Sequence, residues 1–135
     1  MRWMASVGSL LLVVGSMAFG QDKAAPANWK VPDDLISKTN PVKTTPEGLA
    51  HARKTWGYDC AVCHGATGDG KGDIASTLKT PVKSLNDPAT LQGMSDGEIY
   101  YIIKAGKGEM PPEGDRGKPD DLWNLVALVK SYAGK

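Results

Sequence analysis

Cysteine is nearly absent, with two in 135 residues. That excludes a disulfide scaffold, which needs several bridges to replace a core. An excess of one charge sign is missing too. Sixteen Lys and Arg face 15 Asp and Glu, a formal net charge of +1, which excludes a nucleic-acid binder held by bulk electrostatics. No segment alternates apolar and polar residues as a half-buried strand would, and no internal repeat is visible. Phenylalanine occurs once, at Phe19. Gly (16) and Pro (9) are by contrast somewhat plentiful and point to much loop and short helices. With 41% hydrophobic and 23% charged residues, the composition is that of one globular domain. It is not that of a collagen-like, mucin-like or disordered chain.

Long apolar runs are confined to the start. Arg2 supplies a positive charge, residues 5 to 19 carry none, and Leu10 to Val14 form an unbroken apolar core. Ala18 and Gly20 place small residues at the −3 and −1 positions of a cut before Gln21. This order of parts predicts a secretory signal peptide over residues 1–20. A membrane anchor is the alternative, but the stretch is shorter than the roughly 20 residues a spanning helix needs. No cysteine follows directly after the cut, which argues against a lipid anchor. An exported protein is therefore expected, periplasmic or otherwise extracytoplasmic, soluble after cleavage and without a transmembrane segment in the mature chain.

Residues 21–45 read as an extended arm, broken by Pro26, Pro32 and Pro41. Trp29 and Val31 suggest that it docks on the domain surface, since a free tether would not need a Trp. The compact domain is expected over residues 46–135. Thr45, Pro46 and Glu47 form a helix start, with Leu49, Ala52 and Trp56 on one face and Gly57 as the expected stop. Residues 65–93 show no periodicity and are expected as loop. Ser95 to Glu98 fit a capping box, Ile99, Ile102 and Ile103 make a buried stripe, and Gly106 ends that helix. Pro119 opens a last helix, whose apolar face is Leu122, Trp123, Val126, Val129 and Tyr132. Loops of nearly thirty residues in so small a domain suggest that the chain wraps a large cofactor.

Both cysteines lie in Cys60-Ala61-Val62-Cys63-His64, the haem-attachment pattern C-x-x-C-H. Two thiols three residues apart can each bond one vinyl group of a single haem, and the next residue can place its imidazole under the iron. A redox-active dithiol is a rival, but it calls for a strand before the motif and a βαβ setting. A structural zinc site needs four ligands, and only the distant His51 could complete one. For a sixth iron ligand the candidates are Met110, Met94 and His51. Met110 lies between glycines and prolines in Gly106-Lys107-Gly108-Glu109-Met110-Pro111-Pro112, a loop suited to aiming one side chain. Met94 abuts a helix cap, where core packing is expected, and His51 is expected to be exposed.

Trp56-x3-Cys60-x2-Cys63-His64-Gly65, the glycine-rich run Thr67 to Asp73, the Met110-Pro111 loop and Leu122-Trp123-x-Leu125-Val126 together resemble a class I monohaem c-type cytochrome, over residues 46 to 135. The resemblance implies an all-α fold, a small helical shell round one covalent haem c with its first and last helices crossing. It also implies His64 and Met110 as the axial iron ligands, and a loop-proline carbonyl, for which Pro81 is the candidate, that orients the His64 ring. Relatives commonly have a glycine where this chain has Ala52 and an aromatic near Leu128, departures that touch packing only.

Iron held by His and Met has no free site for substrate, and the thioether raises the potential. The expected function is outer-sphere, one-electron transfer with redox partner proteins, with no catalytic acid or base. Two alternatives stay open. One is a catalytic or gas-binding haem protein with an open sixth site. The other is an electron-entry subunit of a larger oxidoreductase, for which the arm is the only support in the sequence. Lys71, Lys79, Lys83, Lys104 and Lys107 could steer an acidic partner or simply form a solvated surface.

Overall fold

The computed structural model describes residues 28–134. The expected signal peptide and the first part of the arm lie outside the described residues. Five α-helices follow in order: α1 Pro46–Thr55, α2 Ala61–His64, α3 Pro88–Leu91, α4 Asp96–Ala105 and α5 Pro119–Lys130. Among the described residues there is no strand, only an isolated bridge between Lys107 and Met110.

The three long helices begin where their capping chemistry dictates. Thr45 Oγ1 accepts a hydrogen bond from Gly48 N–H at 3.0 Å, with Pro46 in the first turn of α1. Ser95 Oγ accepts from Glu98 N–H (3.1 Å), while the Glu98 carboxylate accepts from Ser95 N–H (2.7 Å), a complete capping box for α4. Pro119 opens α5, and Asp121 accepts from Lys118 N–H at 3.3 Å. Each device satisfies N–H groups that the first helical turn leaves without partners.

Gly57 does not end the first helix. The chain widens into one π-helical turn, Trp56–Cys60, in which Ala61 N–H reaches Trp56 O, and then continues as α2 to His64. Gly57 is exposed, with nothing within 4 Å of where a Cβ would stand, so its low propensity is a local cost and not a stop. The π turn adds one residue to the ladder and so rotates Cys60 and His64 relative to α1. Two short elements are absent from the sequence reading, a 3₁₀ turn at Ala75–Thr77 and the single-turn α3. The turn of α3 is capped by Asp87, whose carboxylate accepts from Ala89 N–H at 2.9 Å.

The core lies where α5 meets α1 on one side and α4 on the other. That double contact buries Leu125 and Leu128 as well as the expected Leu122, Trp123, Val126 and Val129. Each fully buried aliphatic side chain contributes about 1.5–3 kcal/mol relative to exposure, so α5 is the element on which the domain depends. Tyr100 of α4 stacks on Trp123 of α5, with centroids 4.1 Å apart and planes at 18°. Ala52 is buried in this core, and one turn earlier Gly48 faces Asn124 of α5 so closely that a Cβ there would collide with its side chain.

The arm from residue 28 onward is tied to the domain. Lys38 O accepts from Gly97 N–H (2.9 Å), and Asn40 N–H donates to the Asp96 carboxylate (2.9 Å). Asn40 Nδ2 donates to Trp123 O (2.9 Å), and Ser95 Oγ donates to Leu35 O (3.3 Å). Further upstream, Trp29 Nε1 donates to Gly106 O at 2.6 Å. None of the described helices is long and apolar enough to cross a membrane.

Candidate functional site

The pentapeptide Cys60 to His64 closes the π turn and forms α2. A helix leaves its last carbonyls without intrahelical donors; here the cap residue Gly65 closes the last turn and the loop after it supplies the other three bonds. Gly65 N–H donates to Ala61 O (2.9 Å), Ile74 to Val62 O (3.1 Å), Gly72 to Cys63 O (3.1 Å) and Gly70 to His64 O (2.8 Å). The loop thus lies directly on the motif. Gly72 is required by that closeness, because a Cβ there would collide with the carbonyls of Ala61 and Val62.

Trp56 fixes the other side. It is 4% exposed, and its Nε1 donates to Gly65 O at 3.0 Å. Its ring packs against His64 (centroids 5.7 Å apart) and Tyr132 (5.0 Å). The His64 imidazole is therefore held by packing and by its own capped backbone. Burial pushes its basicity below the ordinary histidine range, which favours the neutral ring that coordinates a metal. Nδ1 of His64 is buried and has no hydrogen-bond partner. The expected bond to a Pro81 carbonyl is thus not formed. Pro81 is exposed, in a loop whose next residues instead close on Gly70 and Gly68, with Leu85 N–H donating to Gly68 O at 2.7 Å.

Both cysteine thiols are unpaired and half-buried. Burial, reinforced by the nearby carboxylates of Glu113 and Asp59, pushes the Cys60 thiol up to about 12, although Arg116 pulls the other way. Redox dithiols and zinc thiolates need the opposite, a lowered pKa. Nor do the described residues include any group of three or more His, Cys, Asp and Glu placed to hold a metal ion. Two half-buried thiols beside a half-buried imidazole, with Cys60 held protonated, fit a haem attached through thioethers and ligated by His better than the dithiol or zinc readings.

The remaining candidates lie in three different places. His51 is exposed on α1, its Nε2 3.5 Å from the Asp121 carboxylate, so it serves the α1–α5 surface. Met94 is half-buried against the core. Met110 is also half-buried against the core, in a loop closed by Lys107 and Met110, each donating its N–H to the other's carbonyl (3.1 and 3.0 Å). Gly106 starts that loop at φ 72°, a left-handed conformation that glycine adopts without strain. All five lysines named above are exposed, but two lie over aromatic rings, Lys104 over Tyr100 at 5.9 Å and Lys107 over Trp29 at 4.7 Å.

Three features escape the sequence reading. Glu109 clasps the opposite loop, its carboxylate accepting from Lys79 N–H (3.2 Å) and Thr80 N–H (2.8 Å). Glu113, 4% exposed, pairs with Arg116, which also reaches Asp59 at 3.2 Å beside Cys60. Burial raises the Glu113 carboxyl above its usual range despite Arg116. No motif marks these side chains; only the fold brings them to the site.

Comparison with known proteins now places the chain. Residues 47–129 match the family described as cytochrome c oxidase, cbb3-type, subunit III. The chain is 30% identical over 91 residues to the cbb3-type cytochrome c oxidase subunit CcoP of Rubrivivax gelatinosus, covering 66% of this chain and 27% of that protein. Among solved structures, the c-type cytochrome KustC0563 superposes with a TM-score of 0.54 at 25% identity, covering 61% of this chain and 96% of that one. Cytochrome c6 from the diatom Phaeodactylum tricornutum superposes at 0.50 and 26% identity, covering 63% and 93%. The chain belongs to the cbb3-type subunit III family of c-type cytochrome domains. Its fold is that of the small all-α class I cytochromes, its cofactor is covalent haem c with iron, and its function is electron transfer. The chain spans about a quarter of the length of its curated relative.

Proposed function

We propose that this chain is a dedicated one-electron carrier, not an enzyme, working outside the cytoplasm between redox partner proteins. In this reading Cys60 and Cys63 form the thioethers, His64 and Met110 are the axial ligands, and residues 1–20 are an export signal. The observation that carries the proposal is the capped Cys60–His64 segment, which sets two thiols beside an imidazole packed against Trp56. Bound haem c supplies the Fe(III)/Fe(II) couple. The chain's own residues hold it rigidly. Trp56 and the glycine loop fix His64, and the Lys107–Met110 bridge and the Glu109 clasp fix the Met110 loop. A rigid surround keeps the geometric change between oxidation states small.

Denaturation tests the attachment. Haem mass and peroxidase stain should stay with the polypeptide after acid–acetone extraction, and extractable haem would refute the thioethers. Met110→Ala tests the ligand set. It should leave attachment intact, abolish the weak far-red band of thioether–ferric ligation, lower the potential and open the sixth site to carbon monoxide.

A second reading has specific support. Similarity to a cbb3-type oxidase subunit favours an electron-entry subunit of a larger oxidoreductase over a free shuttle. Copurification of a stable partner would establish the subunit, and a monodisperse holoprotein in extracts would establish the shuttle.

A further inference from the structure

The arm makes an attachment that docking alone does not require. Trp29 stands far from the Lys38 and Asn40 anchors and grips the first two residues of the Met110 loop. Its Nε1–H donates to Gly106 O at 2.6 Å, and its ring lies under the Lys107 ammonium, 4.7 Å from the centroid. Tyr101 backs the indole at 5.5 Å. Gly106 and Lys107 are the residues that hold the Met110 backbone. Lys107 exchanges both main-chain hydrogen bonds with it (3.1 and 3.0 Å). The side of Gly106 that lacks a Cβ is covered by the Met110 carbonyl.

From this chain of contacts we infer that Trp29 is a positioning residue for the sixth iron ligand: the arm is a strap that holds the Gly106–Pro112 loop closed and so keeps Met110 on the iron. The inference rests on Met110 being that ligand. On the far side the loop is held by the exposed Glu109 clasp to Lys79 and Thr80. Downstream it is tied by Glu113 N–H to Ile103 O (2.9 Å) and Gly114 N–H to Lys104 O (3.0 Å). These bonds secure the end of the loop after Met110, whereas Trp29 secures the end before it. Gly106 N–H also caps α4 at Ile102 O (2.9 Å), so removing the indole loosens that end at its carbonyl side, without touching His64, the cysteines or the core around α5.

The test is competition by added imidazole for the sixth position of the ferric holoprotein, read by loss of the far-red band. Trp29→Ala should bind imidazole about tenfold more tightly, a factor equal to about 1.4 kcal/mol. Trp29→Phe keeps the ring contacts with Tyr101 and Lys107 but lacks the N–H, and should shift affinity about fivefold, the weight of one net hydrogen bond. Asp33→Asn, which breaks only the exposed arm pair with Lys30, should change nothing. Helical circular dichroism at the assay temperature should be the same in all four proteins, so a general loss of structure is not the readout. Equal imidazole affinity in Trp29→Ala and the unmutated protein, with the band lost in Met110→Ala, would overturn the strap and leave the ligand assignment standing. A band that survives Met110→Ala would overturn both.

Discussion

Gly72→Ala places a methyl group where the carbonyls of Ala61 and Val62 already stand. The loop must then lift from α2. Three hydrogen bonds go with it, those from Gly70, Gly72 and Ile74 to His64 O, Cys63 O and Val62 O. At about 1 kcal/mol net for each bond, the cost is about 3 kcal/mol. For a domain of this size that corresponds to a fall in Tm of about 10–20 °C. The assay is thermal unfolding of the purified holoprotein by circular dichroism, with haem content per chain measured alongside. Gly57→Ala is the matched control. Nothing lies within 4 Å of its added methyl, so it should gain about 0.5–1 kcal/mol from helix propensity. A Gly72→Ala protein that melts with the unmutated one would refute the idea that the loop amides secure the haem-attachment helix.

Other outcomes follow from the same contacts. Trp56→Phe removes the indole donor to Gly65 O while keeping an aromatic ring against His64, and should lower stability by about 1–2 kcal/mol with haem still attached, as a thermal melt would show. Burial lifts the Asp96 carboxyl, but hydrogen bonds from Lys130 and Asn40 N–H and the Lys130 charge outweigh it and hold it below its usual range. A carboxyl depressed on folding gives stability that is full above its unfolded pKa of about 3.9 and is lost as pH falls through the lower folded value. Tm of Asp96→Asn should therefore fall below that of the unmutated protein near neutral pH and converge with it in acid; parallel profiles would contradict this. A Cys60→Ala/Cys63→Ala chain, deprived of a ligand that stabilises only the folded state, should show no cooperative native-like melt.

Capping chemistry is local, and it was legible. Thr45-Pro46, Ser95 to Glu98, Gly106 and Pro119 each sit at the helix boundary their residue types imply. So was the Cys60–His64 pattern, because thiol spacing and the following imidazole are written in adjacent residues. What depended on distant partners was not. Gly57 reads as a stop, yet burial of Trp56 and the continuation to His64 carry the helix through it. Leu125 and Leu128 lie off the expected stripe and are buried because α5 is covered on two sides. The Glu109 clasp joins residues about 30 apart, and the Trp29 bond joins residues 77 apart. The Pro81 expectation failed for the same reason, since its loop closes on Gly68 and Gly70 instead of turning a carbonyl to His64.

The most direct test of the central claim is a spectroelectrochemical titration of the holoprotein beside Met110→Ala. A covalent haem ligated by His64 and Met110 predicts one reversible single-electron transition, a far-red band in the ferric state and slow, weak binding of carbon monoxide. It also predicts a lower potential with the band lost in the variant. Ready carbon monoxide binding by the folded, unmutated protein at neutral pH, with no far-red band and a potential unmoved by Met110→Ala, would contradict it.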